Sequence, residues 1–203
     1  ISHSEFKELA KQCAQNQFQL NTHAIGDKGN QIVIDTYSQH TKHSDRRWRI
    51  EHAQMVTSND IDRIIKNNIV PSMQPSHCTS DMKWLPARIG NHRLHRISRW
   101  KTFINKGAKI AGGSDCPIED GNPLFEFYAA VTRKDHAGWP KEGFQNQETV
   151  NSIEALKMLT SWGAYAEFQD GLKGKIKPGY FADLTVLSDD ITTASPSDIL
   201  NIN

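Results

Sequence analysis

Four times between residues 18 and 115 a short run of strand character gives way to a helical pattern or a turn. That alternation restricts the chain to a parallel sheet covered by helices. Phe18 and Leu20 alternate with Gln19, Asn21 and His23, a short strand ending in a histidine. A helix pattern follows from about Lys28 to Gln39, with Ile32, Val33, Thr36 and Tyr37 on one face. Trp48 and Ile50 alternate up to His52, and Thr57 or Ser58 caps a helix carrying Ile61, Ile64 and Ile65. Ile69–Gln74 reads as a third strand. A polar, proline-bearing loop then runs through Ser76 and His77 to about His92, before a helix with Leu94, Ile97, Trp100 and Ile104. Lys109–Gly113 is a fourth strand, ending at Ser114 and Asp115. Right-handed crossovers between such units give an open sheet or an arc of a barrel. A closed (β/α)8 barrel of the TIM type takes ~250 residues, and four units supply about half of one.

Beyond the fourth unit the pattern changes. Residues 134–149 form a long polar loop, a lid or an exposed crossover, and a helix with Ile153, Leu156, Leu159 and Trp162 follows. Lys175-Ile176-Lys177, the turn Pro178-Gly179 and Ala182–Leu187 read as a β-hairpin. At the other end, Glu5, Phe6, Leu9, Ala10 and Cys13 read as the middle of a helix, as in a piece of a longer protein.

Composition excludes several functions. Lysine and arginine total 24 against 23 acidic residues, a net charge of +1, and the run Asp45-Arg46-Arg47-Trp48-Arg49 reads as a solvated face, so no nucleic-acid partner is expected. No stretch of ~18 apolar residues is present, so no membrane span is expected. Cys13, Cys78 and Cys116 fit no metal spacing and read as free thiols. The compartment cannot be read from this chain.

His23, His52 and Asp115 each end a strand, at the edge where parallel α/β sheets build active sites. Neutral imidazoles and a carboxylate suit zinc, with a position left for water. Their separations, 29 and 63 residues, carry no local signature, and hydrogen-bonded, partly buried side chains explain the same pattern. Strand parity puts His23 with Gln19 and Asn21 on an inward polar stripe. It puts His52 with Trp48 and Ile50, leaving Arg49 and Glu51 toward the helices. Ser76 and His77 lie just past the third strand, where a histidine would donate to an oxyanion or a substrate carboxylate, or simply sit on a surface loop. Asp27-Lys28-Gly29 lacks the pattern of a phosphate cradle, Ser114 lacks a nucleophile elbow, and Cys116 lacks a basic neighbour.

Four segments resemble successive strand-end motifs of the metal-dependent amidohydrolase superfamily. They are Thr22-His23-Ala24-Ile25-Gly26-Asp27, Arg49-Ile50-Glu51-His52-Ala53-Gln54, Ser72-Met73-Gln74-Pro75-Ser76-His77 and Gly113-Ser114-Asp115-Cys116-Pro117. They are most similar to the amidohydrolase-3 branch, the YtcJ-like group that includes N-substituted formamide deformylases. Residues 174–187 resemble the segment by which such enzymes return from the barrel to a small β-sandwich, so the resemblance implies a partial barrel over 1–166 and a return segment to that sandwich over 167–203. The resemblance implies the C-terminal half of the barrel, strands five to eight. It implies His23 and His52 as ligands of one or two divalent metal ions, most simply zinc, with Asp115 as ligand and proton shuttle. It implies His77, with Ser76, at the substrate. The implied reaction is hydrolysis of an N-acyl or N-formyl C–N bond by metal-activated water. Cyclic amides or esters are an alternative, as is a metal-free binding module. The remaining ligands of the family fall outside these 203 residues, so the chain alone is expected to bind metal weakly or not at all and to be inactive. Two open sheet edges and an apolar interior are expected to require the missing half of the barrel or self-association.

Overall fold

The computed structural model describes residues 1–42 and 44–203. Four strands, β1 (Asn21–Ala24), β2 (Arg49–His52), β3 (Val70–Met73) and β4 (Ala111–Gly112), form one sheet in the order β1-β2-β3-β4. All three pairings are parallel, with Asn21 opposite Arg49, Arg49 opposite Val70 and Ser72 opposite Ala111. Helices α1 (His3–Gln15), α2 (Asp27–Thr41) and α3 (Ser58–Lys66) precede or link the first three strands. After β3 come α4 (Pro75–Asp81), α5 (Leu85–Ile89), a 3-10 turn over Asn91–Arg96 and α6 (Trp100–Asn105). After β4 come α7 (Pro123–Thr132), a 3-10 turn over Asn146–Glu148, α8 (Ser152–Leu159), α9 (Ser161–Ala166) and α10 (Pro196–Ile199). The parallel sheet with helical connections is what the alternation predicts, and it fits the partial barrel that the resemblance implies. No helix among the described residues is long and apolar enough to cross a membrane.

The strand faces invert part of the parity reading. Ile50 is fully buried with Val33, Ile34 and Tyr37 of α2, and Thr22 Oγ1 lies 2.6 Å from the Tyr37 hydroxyl, so Thr22 and Ile50 face the helices. Register then places Asn21, His23, Arg49 and Glu51 together on the opposite, inner face. Arg49 pairs there with Glu51 at 2.9 Å and reaches Gln19. Arg49 and Glu51 thus point inward, not toward the helices, and this part of the interior is polar where an apolar one was expected.

Four other elements depart from the periodicity. The first helix is not entered in its middle: Ser2 caps it, accepting the Glu5 N–H while the Glu5 carboxylate accepts the Ser2 N–H, a reciprocal capping box. The loop 76–92 contains α4 and α5, each opened by a proline in its first turn, where the missing N–H costs nothing. The helix around Leu94 and Trp100 is a 3-10 turn and a short helix instead. No strand occupies 175–187: among these residues Ile176 and Val186 are 92% and 90% exposed. An isolated hairpin is marginal without a third strand or a packed face, and this segment has neither. The chain end returns to the body, with Ile191, Ile199 and Ile202 buried in the main core cluster.

Loop 134–149 is pinned. His136 stacks on Phe125 at 3.6 Å, Lys83 pairs with Asp135 at 3.0 Å, and Phe144 N–H donates to Arg133 O at 2.9 Å. Arg133 is fully buried, its guanidinium 4.2 Å over the Trp100 ring and donating to Ser98 O at 3.0 Å.

Candidate metal centre

His23, His52, His77 and Asp115 all lie at the C-terminal edge of the sheet. His23 is the third residue of β1 and His52 the last of β2. His77 falls in the first turn of α4 after β3, and Asp115 lies three residues past β4. By strand parity alone His52 belongs to the helix-facing side. A left-handed backbone at His52 (φ 74°) and Ala53 (φ 43°) turns the chain here, and Asp115 is left-handed too (φ 59°). Such conformations disfavour residues with a Cβ and gather at functional sites.

The side chains converge. His52 Nε2 and His77 Nε2 each lie 4.0 Å from Asp115 Oδ2, and the two imidazoles stack with centroids 5.5 Å apart. One ligand atom from each of these three residues lies within 4.8 Å of the others. Two ligands ~2.1 Å from a tetrahedral ion are ~3.4 Å apart, so small side-chain rotations would close the set around one cation. His23 stands beside this group, its ring edge-on to His52 at 4.5 Å, without joining the mutual 4.8 Å set. His77 is therefore at the cluster and not on a surface loop. Cys116 is exposed, Cys78 is buried, and all three cysteines are free.

Two features fit a cation or another polar group between these residues. His77 Nε2 is buried without a hydrogen-bond partner, an arrangement that costs free energy unless something supplies a contact. His52 Nδ1 lies 2.9 Å from Gln74 Oε1. A carbonyl oxygen only accepts, so Nδ1 carries the proton and Nε2, on the Asp115 side, keeps its lone pair for a ligand bond. A cavity of about 10 Å³ between His52, Gln74, His77 and Trp100 has room for about one water.

Carboxylates behind the cluster respond to burial. Gln54 Nε2 donates to Asp81 Oδ2 at 2.5 Å, yet burial pushes the Asp81 carboxyl above its usual range. Glu126, on α7, is 2% exposed; its Oε2 accepts the Ser76 N–H at 3.0 Å, and burial pushes its carboxyl up to about 7. Ser76, expected at the substrate, is itself fully buried. Gln74 and Glu126 were given no role by the sequence reading. Pro75, fixing the helix start after Gln74, was the available signal for the first. For the second it was Asn122-Pro123, which caps and opens α7.

The sequence profile of the amidohydrolase family matches residues 1–203. The chain is 33% identical over 191 residues to the YtcJ protein of Bacillus subtilis (strain 168), a match covering 94% of this chain and 36% of that protein. It is 27% identical over 192 residues to N-substituted formamide deformylase of Arthrobacter pascens, covering 93% of this chain and 35% of that one. A crystal structure of an uncharacterized metal-dependent hydrolase from Pyrococcus furiosus superposes with a TM-score of 0.80 at 27% identity. That match covers 95% of this chain and 38% of the hydrolase. The chain thus spans about a third of the length of the curated relatives it matches. With its parallel half-barrel, its strand-end histidines and a profile match over its whole length, the chain belongs to the amidohydrolase family, in the amidohydrolase-3 branch.

Proposed function

We propose that this chain carries half of a hydrolytic site acting on an amide-type C–N bond of a small N-formyl or N-acyl substrate. The observation that carries the hydrolytic reading, whichever histidine is the second ligand, is the gathering of His23, His52, His77 and Asp115 at one sheet edge, with His52 already oriented by Gln74. In this reading His23, His52 and Asp115 hold a divalent cation, most simply zinc. Such a cation, when bound, acidifies water and polarises a carbonyl.

The chain's own residues do the rest. Asp115 Oδ2 takes the proton of the attacking water and passes it to the departing amine nitrogen. His77 donates from Nε2 to the oxygen that becomes negative as the carbonyl carbon turns tetrahedral. Gln74 holds His52 in the tautomer that leaves Nε2 free. The site is completed by barrel strands outside these residues, and the 203-residue chain alone does not turn over.

A second reading exchanges His23 and His77, making His77 the ligand and His23 the substrate contact. The mutual 4.8 Å grouping of His52, His77 and Asp115 favours it. Equilibrium zinc titration of the metal-free chain, with His23→Ala, His77→Ala and Asp115→Ala, decides between the two. The first reading expects bound zinc to fall in the His23 and Asp115 variants and to survive in the His77 variant, whereas the second expects the reverse for the two histidines. Zinc retained by all three variants would remove the metal assignment. Hydrolysis of N-formyl substrates by the chain alone would refute its dependence on a missing half.

A further inference from the structure

Four consecutive residues after β3 divide three tasks. Gln74 turns its side chain to His52 Nδ1, Ser76 sends its backbone N–H to Glu126, and His77 reaches the cluster. Helix α4 starts inside the protein: Pro75, Ser76, Cys78 and Thr79 are buried. The first N–H groups of a helix have no partner within it, and those of Ser76 and Cys78 belong to fully buried residues. Pro75 has no N–H to satisfy, and the side chain of Gln74 makes no cap hydrogen bond because it is engaged with His52. The Ser76 N–H is therefore the first donor that needs an acceptor, and Glu126 supplies it from α7, 50 residues further along the chain.

We infer that Glu126 is a positioning residue that caps α4 from another helix and thereby sets where the His77 imidazole stands in the cluster. The inference rests on placing His77 in the functional site, as ligand or as donor. It accounts for a carboxyl group kept at 2% exposure among Phe125, Phe127 and Tyr128, where a polar side chain without a task would be destabilising. It also makes the chemistry specific. Glutamine offers the same carbonyl oxygen to the Ser76 N–H, whereas methionine fills similar space and offers no comparable acceptor.

The test compares the chain with its Glu126→Gln, Glu126→Met and Glu126→Ala variants by nuclear magnetic resonance of the histidine ring protons in metal-free samples. The His52–His77 contact reports the position of α4, and the His23–His52 contact serves as an internal reference on the strands. The expected result is loss of the His52–His77 contact in the Met and Ala variants, its retention in the Gln variant, and an unchanged His23–His52 contact in all three. An unchanged His52–His77 contact in a folded Met or Ala variant would overturn the inference. So would global unfolding of both, because a residue needed by the whole fold is not a positioner of one helix. Zinc titrated in excess into separate metal-free wild-type samples tests the metal assignment by itself: ring signals of His52 and His77 that do not respond to zinc would defeat that assignment and leave the ring contacts to judge Glu126.

Discussion

The two edges of the sheet are built from similar residue types and finished in opposite ways. At the N-terminal edge the side chains of Arg47, Gln19 and Trp48 all find protein partners. Arg47 lies 3.9 Å over Tyr165 and 4.5 Å over Phe168, pairs with Asp170 at 2.7 Å and Asp45 at 3.0 Å, and donates to Tyr165 O at 2.9 Å. Gln19 Nε2 ties Arg47 O to Ala166 O, and Trp48 Nε1 donates to Phe18 O. At the C-terminal edge the backbone is left-handed at two of the four cluster residues, and His77 Nε2 is left without a partner. One edge is closed by the chain's own side chains, and the other leaves a buried imidazole nitrogen without a hydrogen-bond partner.

The largest expected effect lies behind the open edge. Glu126 has a carboxyl held by burial near 7 against 4.5 for an ordinary glutamate. Between those values the folded chain holds a proton that the unfolded chain releases, so the unfolded state binds fewer protons and stability falls as pH rises. The contribution is fully present below about 4.5 and lost as pH climbs through about 7, on the order of 3 kcal/mol over the window. Denaturant unfolding of the chain and of Glu126→Gln at pH 5 and pH 8 measures it. The glutamine variant should lose most of this part of the slope, and identical slopes would show that Glu126 is not buried as described.

A smaller effect tests the closed edge. Replacing Arg47 with alanine removes the two ring contacts and the ion pair with Asp170. It should cost about 2 kcal/mol, discounted because Asp45 is exposed and the Asp170 side chain is 38% exposed. The same variant should leave the His52–His77 ring contact unchanged, since Arg47 lies at the opposite end of β2. A change at the histidines with little loss of stability would mean that the two edges are coupled and that their contrast is misread.

The contrast also explains what could be read from the sequence. Alternation around Ile50 and the helical spacing of Ile61 and Ile64 report burial, and their succession along the chain made the parallel sheet with its helices legible, while the half-barrel came from the strand-end motifs that resemble the family. The inward turn of Glu51 was not legible. Its parity was read through His52, and the left-handed φ at His52 and Ala53 breaks the alternation at the residue used as its reference. Helix α7 escaped because Phe125, Phe127, Tyr128, Ala129 and Ala130 are all buried, leaving no polar stripe to mark a period. The hairpin expected at 175–187 had the right turn residues but no surface to pack on, which local pattern cannot reveal. Candidate ligands were legible because residue type and strand end suffice to nominate them. Gln74 and Glu126 were not, because their roles exist only through partners 22 and 50 residues away.

The smallest expected effect bears directly on the idea that the open edge is prepared in advance. If Gln74 fixes the His52 tautomer, Gln74→Ala frees the Nδ1 proton to move to Nε2, and part of the population then presents an N–H where a lone pair is needed. A neutral acceptor of this kind contributes the lower end of what such supporting residues give, about tenfold in metal affinity or ~1.4 kcal/mol. Gln74→Glu should act in the opposite direction, because a carboxylate accepts the same proton more strongly and makes the far nitrogen more basic. Cobalt titration of the three chains orders them as glutamate, glutamine, alanine from tightest to weakest. The pairwise order matters more than the size, since a general loosening of the edge would weaken both variants. Weakening by glutamate as well as by alanine would mean that Gln74 serves the packing of β3 against β2 and has no part in preparing His52.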